Sequence, residues 1–127
     1  MLWYIAAGSA LGGVARYLVA LAFHRPTPLP IGTLLVNITG SLLLGFLARY
    51  ATSAAGWSPE IRAFLTIGFC GGYTTFSTFS LEVAELLRVH AYGRAAGYAG
   101  LSAGLSIGAV IVGFSVADWL RGPVQGS

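Results

Sequence analysis

The sequence predicts an all-α integral membrane protein of four spanning helices, the third of them broken. Three observations carry that reading: long apolar runs, a shortage of charge, and a glycine–threonine cluster inside one run. Of 127 residues, 56% are hydrophobic and 9% charged, whereas a soluble domain carries about 25% charged residues. Mean hydropathy is +0.77. A bilayer-spanning helix needs about 20 mainly apolar residues. Four stretches supply them, roughly residues 2–23, 30–51, 62–88 and 94–119, and residues 1–127 read as a single domain.

The first run lacks a basic segment before it, so it reads as a retained helix and not as a cleaved leader. Pro26, Pro28 and Pro30 punctuate the first connection, and Gly56, Trp57, Ser58 and Pro59 the second. The third connection is short, around His90 to Gly93. Trp3, Tyr4, Tyr50, Trp57, Tyr92 and Trp119 fall near predicted span ends, as an interfacial aromatic belt does. The basic residues are Arg16, Arg25, Arg49, Arg62, Arg88, Arg94 and Arg121, spread along the chain. A nucleic-acid binder clusters them into a patch, so they read as anchors at helix ends. Arg49, Arg62 and Arg121 fall on one side, and Arg25, Arg88 and Arg94 on the other. The balance sets no orientation and permits an antiparallel dimer.

The third run holds Gly71-Gly72-Tyr73-Thr74-Thr75. Glycine inside a helix costs about 1 kcal/mol relative to alanine. An interruption there frees carbonyls on one side and N–H groups on the other. In a bilayer such groups must be buried in protein or line a cavity. Carbonyls suit a cation, and N–H groups an anion. A glycine pair that merely allows close packing is the competing reading.

Polar stripes cross the apolar runs. Thr33, Asn37 and Ser41 lie at spacing four on the second, and Tyr98, Ser102 and Ser106 on the fourth, each along one helical face. Gly100, Gly104 and Gly108 mark a nearly opposite face of the fourth, suited to close packing. Hydroxyl stripes serve either helix–helix hydrogen bonding or a path. Phe76 and Phe79, three apart, share a face. They fit plain core packing, or an anion contact through electropositive ring edges. With the hydroxyls and the amide they would make a weak, multi-site anion path. Arg16 and helix N-termini at the break are candidate sources of positive potential.

Other chemistries find little support. Cys70 is the single cysteine, so it makes no internal disulfide, and it reads as a buried thiol. His24 and His90 stand alone, with no partner at ligand spacing. Glu82 and Glu85 have no histidine near them in sequence, and no nucleophile-elbow or phosphate-cradling motif occurs. The chain does not read as an enzyme.

Three motifs identify a resemblance. Gly12-Gly13-Val14-Ala15-Arg16-Tyr17, then Gly32-Thr33-Leu34-Leu35-Val36-Asn37, then the run from Gly68 to Ser80 (GFCGGYTTFSTFS) resemble the Fluc (CrcB-type) fluoride channels, in order and spacing and over essentially the whole chain. The resemblance implies an antiparallel, dual-topology homodimer with two fluoride pathways in the inner (plasma) membrane. It implies a structural sodium ion at the dimer centre, held by backbone carbonyls that match Gly71 and Thr74 of both subunits. Phe76 and Phe79 match the phenylalanines whose edges contact fluoride across the two subunits, and Asn37 the asparagine that donates to it. Thr33, Ser102, Ser106 and Tyr98 match the polar track, Arg16 the vestibule arginine, and Glu82 an acidic position beyond the aromatic pair. The implied function is passive fluoride export, with fluoride, the lipid bilayer and a second copy as partners and no nucleic acid. Tyr73 departs from the pattern, standing where many members carry a smaller aliphatic residue. Two alternatives compete. A small multidrug exporter needs a membrane carboxylate, usually in its first helix, and the first run here has no Asp or Glu. A non-transporting scaffold would use the polar stripes for assembly alone.

Overall fold

The computed structural model describes residues 1–24, 29–53 and 57–122. Arg25, Pro26, Pro28 and Gly56 lie outside the described residues. The regular elements among them are all helical: α1 Leu2–Ala22, α2 Ile31–Ser53, α3 Pro59–Ala63, a π-helical stretch Phe64–Cys70, α4 Gly71–Tyr73, α5 Phe76–Arg88 and α6 Tyr92–Arg121. Three helices are long and apolar enough to cross a membrane: α1, residues 31–51 of α2, and α6. The expected run at 62–88 is not among them, because its residues are shared by four shorter pieces.

Local chemistry explains where those pieces start and stop. Ser58 opens α3, its hydroxyl accepting from Ile61 N at 3.2 Å, with Pro59 at the first helical position. The backbone then stays helical without a gap to Tyr73. Thr66 donates to Arg62 O at 2.7 Å across the start of the wide turns. Gly71 is itself helical (φ −63°, ψ −38°). The chain becomes extended one turn later, at Thr74 (φ −82°, ψ 159°) and Thr75 (φ −149°, ψ 118°). Two β-branched residues tolerate that conformation better than a helical one. Thr75 then caps α5, accepting from Thr78 N at 3.1 Å.

Glycines let the backbones touch. Gly8 and Gly12 of α1, four apart, meet Phe64 O and Phe69 O, while Gly68 and Gly72 meet Ile5 O and Ser9 O from the other side. This reciprocal small-residue contact seats α1 on residues 64–73. Gly45 of α2 faces Val110 O, and Gly113 of α6 faces Leu42 O and Phe46 N. Alanine at Gly113 pushes a methyl into backbone that has no room to move. Gly113→Ala is expected to destabilise the folded chain by about 1–3 kcal/mol, read as a lower unfolding temperature in detergent micelles. The expected packing face Gly100–Gly104–Gly108 is different. A side chain added at any of the three meets nothing within 4 Å, so this face packs against no part of its own chain among the described residues.

The interior is small: Val36, Leu47, Ala51, Cys70, Tyr98 and Ala117 are among its buried members. Large apolar side chains instead cover the outside, such as Leu11, Val14 and Leu18 on α1 and Leu105, Ile111 and Val112 on α6. Trp3, Tyr92 and Trp119 are exposed at helix ends. That inversion suits a chain bathed in hydrocarbon. Arg49 of α2 pairs with Asp118 of α6 at 3.1 Å, and Arg121 with Asp118 at 2.7 Å, so these helices end at the same level.

Candidate functional site

The polar residues converge where the backbone is extended. Asn37, two turns into α2, grips the Thr75 peptide with both ends of its amide. Its Oδ1 accepts from Thr75 N at 2.8 Å, and its Nδ2 donates to Thr75 O at 3.1 Å. One amide proton on Nδ2 is left over. Arg16, from α1, donates through Nε to Gly72 O at 3.2 Å. Thr74 folds back on Cys70 O, with its hydroxyl at 2.9 Å and its N–H at 3.0 Å.

These bonds leave an uneven set of carbonyls. In an uninterrupted helix Thr75 N would serve Gly71 O, and Thr78 N would serve Thr74 O. Here Thr75 N is directed to Asn37 and Thr78 N to the Thr75 hydroxyl. Gly71 O and Thr74 O therefore lose their helical donors, while Gly72 O and Thr75 O gain side-chain donors. Among the described residues no group of three His, Cys, Asp or Glu stands close enough to hold a metal. A cation at this turn would rest on backbone oxygen.

Beside the turn lies a cleft of about 290 Å³ between α2, α5 and α6. Five of the expected pathway residues and ion ligands line it directly from those helices: Asn37, Phe76, Phe79, Ser102 and Ser106. Thr74 lines it too, and so do Ser41 and Thr75. Ser41 belongs to the stripe visible in the sequence. Thr75 carried no separate signal there, because its role depends on Asn37. Phe76 is 79% exposed and its ring centre is 5.8 Å from that of Phe79. Ser102 Oγ is buried at the cleft and, among the described residues, makes no hydrogen bond of ordinary length and angle. A buried hydroxyl in that condition is uncommon and is satisfied by a ligand or water.

Thr33 and Tyr98 do not line this cleft. Both are buried, and both donate to Glu82, Thr33 to Oε2 and Tyr98 to Oε1, each at 3.1 Å. Phe79, which lines the cleft, has its ring centre 5.3 Å from that of Tyr98. Glu82 and Thr33 also border a second cavity of about 530 Å³, shared with Glu85 and His24. Polar groups thus gather in two places, Asn37, Ser102 and Ser106 at the cleft and Thr33 and Tyr98 around Glu82. Sequence spacing named Glu82 but gave no sign that two hydroxyls would converge on it. Arg16 stands apart from the cleft, on the carbonyl side of the turn.

A family model described as CrcB-like protein, Camphor Resistance (CrcB), matches residues 3–114. The chain belongs to the CrcB family. Its similarity to individual CrcB-family proteins is high. It is 46% identical over 114 residues to the fluoride-specific ion channel FluC 1 of Nitrobacter hamburgensis, covering 88% of this chain and 90% of that one. It is 48% identical over 114 residues to a fluoride-specific ion channel FluC of Rhizobium meliloti, covering 88% and 91%. A third, from Chlorobium luteolum, is 55% identical over 85 residues, or 66% of each chain. The CrcB match contains the Asn37 clasp, both phenylalanines and the Ser102–Ser106 stripe.

Proposed function

We propose that this protein is a fluoride-selective channel that lets fluoride leave the cytoplasm passively, down its electrochemical gradient. The observation that carries the reading is the cleft, where an amide proton, a buried hydroxyl and two aromatic rings share one space within a CrcB-family chain. Hydrogen-bond donors and ring edges stabilise a small anion without binding it tightly, and weak, repeated contacts are what conduction needs. The family is one of channels, and the chain is not an enzyme.

The working unit in this reading is an antiparallel, dual-topology homodimer in the inner (plasma) membrane, each copy contributing four spans. It has two pores, with Phe76 and Phe79 acting across the two copies. The exposed Phe76 and the open Gly100–Gly104–Gly108 face support a second copy. A structural sodium ion rests at the dimer centre on Gly71 O and Thr74 O of both subunits. Their missing helical donors support that assignment, since an unpaired carbonyl in a membrane needs a partner. Sodium, when bound, supplies fixed positive charge beside the pores; Arg16, bound to Gly72 O, adds to it. The rest of the track is Thr33, Tyr98, Ser102 and Ser106.

Fluoride efflux from proteoliposomes, read with a fluoride electrode beside a matched chloride control, tests the proposal. Rapid fluoride loss with chloride retained is expected. Retention of both ions by folded, inserted protein would leave the scaffold reading in its place.

A further inference from the structure

Tyr73 directly precedes Thr74 at the turn, and its surroundings are specific. Its hydroxyl lies 2.9 Å from Thr39 Oγ1 on α2. Thr39 spends its own proton on Leu35 O, 2.7 Å away. A hydroxyl has one proton and two lone pairs, so Tyr73 is the donor and Thr39 the acceptor. The ring is stacked on Phe69 one turn earlier, with centroids 5.7 Å apart and planes 12° apart. Gly40, next to Thr39, completes the seat. A methyl there would run into Thr74 Cγ2 and come within 3.0 Å of Tyr73 Cδ2. Tyr73 and Thr74 therefore reach α2 at a point where it has no side chain.

We propose that Tyr73, Thr39 and Gly40 form a clasp that positions the Thr74 carbonyl for the cation, with Tyr73 and Thr39 as positioning residues. This rests on the sodium reading above. Arg16 holds Gly72 on the α1 side and Asn37 holds Thr75 beyond it. Without a tie at Tyr73, the residue directly before Thr74 has no side-chain hydrogen bond to α2. The phenol supplies one that an aliphatic residue cannot. The hydroxyls lie at the surface of the single chain, where a bilayer or an apolar partner offers no competing acceptor, so the bond persists.

The test compares wild type, Tyr73→Phe, Thr39→Val and Thr39→Ser by thermal unfolding of the purified dimer across a sodium series. Potassium replaces sodium at constant ionic strength. Hydrogen exchange of the Thr74–Phe76 amides is measured alongside. Tyr73→Phe and Thr39→Val each raise the half-saturating sodium concentration about fivefold, the worth of one hydrogen bond, and speed local exchange. Thr39→Ser, which keeps the acceptor, restores wild-type behaviour. The double variant is no worse than either single one. Sodium-stabilised wild type with unchanged single variants overturns the clasp alone. So does an equal loss of stability with and without sodium, which is plain packing. Wild type indifferent to sodium overturns the sodium reading, and the clasp's purpose with it.

Discussion

Asn37→Leu is expected to lower fluoride efflux by about 10- to 100-fold and to destabilise the folded chain. Leucine matches asparagine in size but makes neither bond to the Thr75 peptide. Thr75 N is then left unpaired in a part-buried turn, at about 1–3 kcal/mol, and Thr75 O keeps only its place at the start of α5. The chain can relieve this by returning Thr75 N to Gly71 O, which straightens the turn and closes the cleft. It would also cover the Gly71 carbonyl proposed above for the cation. A tenfold rate change corresponds to about 1.4 kcal/mol, so partial relief already reaches the stated range. The assay is proteoliposome efflux normalised to inserted protein, with unfolding temperature in detergent as the stability readout. Asn37→Asp separates the roles. It keeps the Oδ1 acceptor for Thr75 N but loses the amide donor and adds negative charge. A folded Asn37→Asp variant should therefore conduct as poorly as Asn37→Leu. Wild-type flux in both would remove Asn37 from the pathway.

The second large effect is expected at the aromatic pair. Phe76→Ile and Phe79→Ile should each cut efflux at least about tenfold, the scale of one aromatic contact in a low-dielectric site. Isoleucine retains apolar bulk but has no electropositive edge. Phe76, 79% exposed in the single chain, holds little of the chain's own fold together, so its variant should keep the wild-type helical content by circular dichroism. Phe79 also packs on Tyr98, so its variant should show a modest loss of thermal stability besides lost flux. Unchanged efflux in both would leave the rings as ordinary packing and shift the pathway onto the hydroxyls.

Much of this was legible in the residues. Length and polarity of the apolar runs mark α1, α2 and α6 to within two residues at every end, because the bilayer imposes both a minimum length and a penalty for charge. The stripes Asn37–Ser41 and Ser102–Ser106 were readable from spacing four, and they meet at one cleft because α2 and α6 pack closely through Gly45 and Gly113. Cys70 is buried, as its apolar context indicated.

Other features follow from packing that local sequence does not encode. Gly71 and Gly72 looked like the weak point of the third run, yet they stay helical and the extended residues are Thr74 and Thr75. The glycines serve contact: Gly72 lies against Ser9 of α1. The turn is held where Asn37, thirty-eight positions away, outcompetes the helix for the Thr75 peptide. In the same way, Thr33 belongs to the Asn37 stripe but turns to Glu82, because α5 brings a carboxylate within 3.1 Å of it. The sequence by itself determined that the chain lives in a membrane, how long its main helices are, and which polar residues they carry. The tertiary structure decided which carbonyls are free, which hydroxyls face a cleft and which face a carboxylate. The physical reason is that hydrogen-bond donors in an apolar medium take the nearest acceptor, and nearness across helices is set by packing alone.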